Sequence, residues 1–251
     1  MAGHSKWANI KHKKAHVDKK RGAAFTKIVR LIVAAVKKGG PEPDMNPSLR
    51  LAVEKARSAN MPKDNIERAI KKAAGDGEAD QFEELVYEGY GKAGVAIIVE
   101  ALTDNKNRTT PEVRKIFEKA NGNLGEMGCV NWMFKKKSVI HFEAQGKSED
   151  DVVELALEVG ADDVEYGEGM VEIKADPEEL VPLMDSLRNK GFEPNGDVQN
   201  IPDTPMEVEL EDAKKVMLLM DRLEEHDDVQ SVFSSMILSP EVEAQLMTDE
   251  S

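Results

Sequence analysis

The hydrophobic pattern changes period at Gly75-Asp76-Gly77, and this change divides the chain into a helical part and a mixed part. Before it, Phe25, Ile28, Val29, Ile32, Val33 and Val36 form one helical stripe that ends at Gly39-Gly40, with Asp18 positioned as its N-cap. Asn46-Pro47 then sets a capping residue ahead of a proline at the first helical position, and Leu49, Ala52, Val53 and Ala56 give a second stripe. Asn60-Met61-Pro62 precedes a third, made of Ile66, Ala69, Ile70 and Ala73. Three short amphipathic helices cover one another's stripes only as a small bundle. The second and third also have helix-turn-helix spacing, although Asp64 and Glu67 in the opening turn of the last would repel DNA phosphates.

Beyond the glycines the period is two. Leu85–Glu88 and Val95–Val99 read as strands, joined by Gly89-Tyr90-Gly91-Lys92-Ala93-Gly94. Those six residues spell GxGxxG, but a dinucleotide fingerprint needs its glycines between a strand and a helix, so that the helix N-terminus faces the pyrophosphate. Between two strands they make a hairpin loop, and no dinucleotide cofactor is expected. The polar run Thr103–Arg108 follows, and Thr109 with Glu112 fits a capping box for a helix carrying Val113, Ile116, Phe117 and Ala120. This polar loop reads equally as turn chemistry and as a functional patch at the mouth of a sheet.

From Val130 the elements count out as strand, helix, two strands, helix and strand, the ferredoxin-like split unit. Residues 78–120 give two strands and a helix, and the residues after 204 give a short strand, a helix and a strand; neither set is complete alone. Joined, they make a second α/β sandwich with the first inserted into it. The expected class is therefore α+β: an N-terminal three-helix bundle followed by two ferredoxin-like α/β sandwich domains, one inserted into the other. The boundaries are 1–77 for the basic arm and bundle, 78–129 plus 205–238 for the discontinuous domain, 130–204 for the insert, and 239–251 for a polar tail expected to fray.

Charge divides at the same place. Residues 1–75 carry 18 basic and 6 acidic side chains, whereas the rest carry 16 and 42, in a chain of net charge -14. Such asymmetry points to nucleic acid or an anionic membrane as partner. Met1–Lys38 alone sets eleven Lys or Arg against one acid, Asp18. Its first seventeen residues have no apolar period, so an arm that orders only on phosphates is expected. The expected nucleic-acid contacts are His4, Lys6, Trp7, Lys11, His12, Lys13, Lys14, His16, Lys19, Lys20, Arg21, Lys27 and Arg30. The cations would neutralise phosphates and Trp7 would offer a flat face to an unpaired base. The competing reading is a solubilising tail.

Other classes fit less well. Lys27 and Arg30 interrupt the apolar residues a signal peptide would need, and the longest apolar run there, Leu31–Val36, is far short of a membrane span. A mitochondrial transit peptide shares the acid-poor, amphipathic character. A single cysteine, Cys129, leaves no disulfide framework and no Cys-rich zinc site, so a cytoplasmic chain is expected. His12 and His16 are four apart but lie among lysines, so no metal is expected. With no GxxxxGK[ST], HExxH or GxSxG, the chain is expected not to be an enzyme.

The strings MAGHSKWANIKHKKAHVDKKRG, FTKIVRLI, NMPKDNIERAI, YEGYGKAGVAIIVEALTDNKNRT and CVNWMF together resemble the YebC family over nearly the full chain, with Cys129 where the family usually has Ser. The resemblance implies three domains and a role in gene expression. Some members are called probable transcriptional regulators that bind DNA; others, a mitochondrial translational activator among them, look like ribosome-associated factors that assist difficult sequences such as proline runs. The implied partner is ribosomal RNA, and with it the ribosome, or DNA.

Overall fold

A computed structural model describes residues 17–75 and 82–248. The chain forms two compact units, one built chiefly from Ala24–Ala79 and Lys136–Asn200, the other chiefly from Asp80–Lys135 and Ile201–Ser251. The fold is α+β, with three helices ahead of two helix-covered sheets.

In the first unit, helices α1 (Val17–Gly39), α2 (Pro47–Ser58) and α3 (Lys63–Ala74) bury the three expected stripes against one another, with Ile32, Leu49 and Ala56 fully enclosed. Asn46 joins two of them. Its Oδ1 accepts from the Leu49 N–H at 3.1 Å, capping α2, while its Nδ2 donates to the Ala35 and Gly40 carbonyls, each at 2.8 Å, at the end of α1. One buried side chain thus satisfies orphan groups of two helices. Gly39 is required beside it, because a Cβ there would lie 2.8 Å from the Asn46 side chain.

The same unit holds the inserted sheet. Strands β4 (Phe134–Glu143), β5 (Asp163–Gly167), β6 (Met170–Ala175) and β7 (Asn195–Pro202) lie in the order β5-β6-β4-β7, which is the ferredoxin-like split arrangement. Helices α5 (Glu149–Val159) and α6 (Leu180–Asn189) cover one face over Ile140, Phe142, Val171 and Ile173. The β5–β6 hairpin turns on Glu168-Gly169, both at positive φ, the tight turn that matches strand twist. Glu54 of α2 is buried and receives Arg57 and, from α6, Arg188, each at 2.6 Å, so an ion pair ties the bundle to the helices over the sheet within this unit.

In the second unit, β1 (Glu83–Tyr90) and β2 (Ala96–Thr103) form an antiparallel hairpin, flanked by β3 (Asn123–Leu124) on one side and β9 (Val229–Ser234) on the other. Helices α4 (Lys106–Lys119) and α7 (Leu210–Glu224) pack on one face through Phe117, Val216 and Leu219. Residues 129–134 close the opposite face, where Val130 and Phe134 cover Ala96, Ile98 and Phe233. Covered on both sides, β2 is apolar nearly throughout. The GxGxxG residues do lie between two strands, and packing explains two of them. A Cβ on Gly89 would sit 2.5 Å from the Asn123 carbonyl oxygen, and one on Gly91 would sit 3.0 Å from Ile97.

Five local expectations change. Helix α1 already runs from Val17, so Asp18 lies inside its first turn, where a carboxylate suits the helix dipole, and is not the N-cap. Helix α4 starts at Lys106, capped by Asn105, whose Oδ1 accepts from the Arg108 N–H at 3.2 Å; Thr109 is not a cap and Pro111 lies inside the helix. The short strand expected after residue 204, read over Glu207–Leu210, shrinks to β8 (Met206–Glu207), parallel to β10 (Met236–Ile237), and Leu210 opens α7. The tail is helical over α8 (Pro240–Thr248), started by Ser239 and docked through Leu246, because that short apolar pair with Val242 is enough to seat one face. The two-residue strand β3 carries too little pattern for sequence to reveal. Among the described residues no helix is long and apolar enough to cross a membrane.

Candidate nucleic-acid interface

The bundle buries its stripes inward and therefore turns its charges outward. Lys37 and Lys38 end α1, and Lys71 and Lys72 end α3, all four exposed, where cations also complement the helix dipole. Lys37 Nζ donates to the Gly75 carbonyl at 3.4 Å, which brings these two ends side by side. A basic cluster thus forms at one end of the bundle. At the other end α1 leads back to the lysine-rich arm, its 23 residues spanning about 33 Å at the usual rise per residue. Along α3, Lys63 and Arg68 are also exposed, and Lys63 lies 3.6 Å from Glu67, so one of the two acids expected to repel phosphates already has a cation beside it.

Of the residues expected from sequence, His4, Lys6, Trp7, Lys11, His12, Lys13, Lys14 and His16 lie outside the described residues. Lys19, Lys20 and Arg21 fall on the helical backbone of α1. Lys27 and Arg30 are half-buried one turn apart on the same helix. Sequence reasoning did not select Lys37, Lys38, Lys63, Arg68, Lys71 and Lys72. The signal was available in the bundle's apolar periodicity, which leaves these positions on the outer face.

Two buried carboxylates organise the second unit, and neither is free to act as a base. Asp228, at the turn between α7 and β9, accepts from Thr109 Oγ1 at 2.6 Å, Arg108 Nη2 at 2.7 Å and Thr103 Oγ1 at 3.1 Å. Burial pushes its pKa up, and these donors more than offset that, holding it at about 2. The polar run from Thr103 to Arg108 is therefore latched to the far end of the chain. Glu88, on the sheet face away from the helices, accepts backbone N–H groups from Gly128 at 2.7 Å, Val130 at 2.8 Å and Asn131 at 2.7 Å. Burial raises its pKa and the three amides bring it below the ordinary carboxylate value. Neither group is a proton shuttle, because every donor around it favours the ionised form. Burial likewise pushes the Cys129 thiol up, away from thiolate reactivity. Among the described residues no group of three or more His, Cys, Asp or Glu side chains is arranged to hold a metal ion.

Two family descriptions match the chain. The TACO1/YebC protein N-terminal domain matches residues 5–76, and the TACO1/YebC second and third domain matches residues 82–236. A protein from Treponema denticola is 51% identical over 94% of this chain and 96% of its own length, and one from Persephonella marina is 51% identical over 96% and 98%; both are named probable transcriptional regulatory protein. The crystal structure of a conserved hypothetical protein from Aquifex aeolicus superposes with a TM-score of 0.78 at 46% identity, covering 88% of this chain and 92% of that one.

Proposed function

The chain belongs to the TACO1/YebC family, and from that premise we propose that it is a nucleic-acid-binding regulator of gene expression that acts by binding and not by catalysis. The observation that carries this reading is the charge of Met1–Lys38, eleven cations to one acid, on a chain whose remainder is strongly acidic. The arm residues from His4 to Arg30 make the first contacts in this reading. The basic cluster of α1 and α3 extends them, since cations spaced along a helix meet successive phosphates without needing a base sequence. The acidic body keeps the protein from coating nucleic acid indiscriminately.

The finer reading is a cytoplasmic, ribosome-associated translation factor that binds ribosomal RNA and assists difficult, proline-rich sequences. A Lys- and His-rich arm with one aromatic suits looped or single-stranded RNA better than a duplex. The division into bundle with arm, discontinuous domain and inserted domain goes with it: the bundle with its arm binds, and the two sandwiches serve as the acidic body. The second reading is a DNA-binding transcriptional regulator. It is favoured by the names of the relatives and by the tight α2–α3 turn at Ala59–Pro62. Crosslinking in cells separates them: recovery of ribosomal RNA supports the first, recovery of defined promoter DNA supports the second, and recovery of neither overturns both.

A further inference from the structure

The loop between β3 and β4 exposes the largest apolar side chains of its unit. Met127 is 89% exposed and Trp132 is 73% exposed. Neither is there for want of order. Glu88 holds three backbone N–H groups of the loop, its own carbonyl accepts from the Gly125 N–H at 2.8 Å, and Val130 and Phe134 are buried against the sheet on either side of Trp132. The Tyr90 hydroxyl donates to the Cys129 carbonyl at 3.0 Å, and Trp132 Nε1 donates to the same oxygen at 3.2 Å. With its only polar atom satisfied inside the loop, the indole offers the outside nothing but an aromatic face.

We propose that Trp132, with Met127 exposed five residues earlier in the same loop, is a stacking platform for one unpaired nucleobase, a second contact that rests on the nucleic-acid reading above. Size decides against a protein occupant. Two such side chains present on the order of 300 Å² or less, and adding Val86 of the same sheet face leaves the patch well below the roughly 800 Å² per partner of a stable interface. A single aromatic suffices for one base. Charge near the loop within its own unit is balanced, with Lys119 and Lys135 against Glu126 and Asp203, the last pairing with Lys135 at 2.9 Å, which suits a contact made by stacking and not by phosphate neutralisation. A rigid ring also loses little conformational freedom on stacking, which a loop pinned by a buried carboxylate supplies in advance.

The test uses the full chain carrying Trp7→Phe, so that Trp132 is the only indole. It is titrated with a mixed-sequence single-stranded RNA of about twelve nucleotides, the same DNA strand, and both duplexes. Trp132 emission is expected to fall with the single strands and not with the duplexes at equal occupancy. Trp132→Ala is expected to weaken single-strand binding roughly 5- to 140-fold, Trp132→Phe to retain most of it, and neither to change the salt slope. The RNA and DNA arms assign the source of the base. Full binding without quenching, or equal affinity of Trp132→Ala, overturns the platform and leaves the nucleic-acid reading standing. Quenching that depends on protein concentration alone overturns it in favour of a second copy of the chain. If the unmodified chain binds none of the probes, both readings fall.

Discussion

Replacing Asp228 by Asn isolates one buried charge at the point where the polar run after β2 meets the turn before β9. The side chain is 2% exposed and its Oδ2 gathers three donors, one from a guanidinium. Its folded pKa of about 2 lies nearly two units below the unfolded value of about 3.9, and at roughly 1.4 kcal/mol per unit the ionised form contributes about 2–3 kcal/mol to stability. Because the folded pKa is the lower one, this contribution is complete above about pH 4 and disappears as pH falls through about 2. Asp228→Asn keeps shape and removes charge. It also turns an amide N–H toward groups that already donate. Urea unfolding followed by circular dichroism at pH 7 is expected to show the variant less stable by about 2–3 kcal/mol. Repeated at successively lower pH between 4 and 2, the gap should narrow as the wild-type carboxylate takes up its proton. A gap that stays constant across that range would show that shape and not charge makes the latch, and the electrostatic reasoning would fail.

Asn46→Ala removes the α2 cap and the donors to two carbonyls of the α1 end, and is expected to cost about 2–3 kcal/mol of thermal or urea stability; Asn46→Asp, which keeps only the cap, should recover little of it. Glu88→Gln presents an amide N–H to backbone donors, so amide exchange at Gly128, Val130 and Asn131 should accelerate while bundle amides keep their protection; unchanged exchange at those three would argue against the clamp. Removing residues 1–17 should leave a cooperative melting transition, since the bundle's buried stripe starts beyond them at Ile28, and loss of the transition would show the arm to be structural.

The helices of the bundle and the βαββαβ order of the insert could be read from sequence because their signals are local. A stripe such as Ile28, Ile32 and Val36 needs only its own helix to be recognised, and Asn46-Pro47 needs only the neighbouring backbone. What the sequence did not reveal lies where a distant partner decides. Thr109 followed by Glu112 is a sound capping pattern, yet Asn105 takes the cap, and Thr109 is drawn inward by Asp228, 119 residues away. Glu54 looks like an i,i+3 partner for Arg57, and only the fold brings Arg188 to its other oxygen. Glu88 resembles any strand carboxylate until the loop after β3 closes over it. Of the interface, the basic arm stood out as a run of charge. The outward placement of Lys37, Lys38, Lys71 and Lys72 follows from the stripes, but their gathering into one cluster does not, because it needs two helix ends to meet.

The central claim is that the N-terminal cations bind phosphates, and a salt series measures this most directly. If about six of them engage, log affinity for ribosomes or for DNA should fall against log salt with a slope of roughly -4 to -5. The combined changes Lys11→Ala, Lys13→Ala and Lys14→Ala should flatten that slope by roughly 2 to 3, whichever nucleic acid is bound. A ribosomal target should bind more tightly than any duplex at matched salt, whereas a transcriptional regulator should prefer one duplex sequence by orders of magnitude. A triple variant whose slope equals that of the unmodified chain would contradict the account.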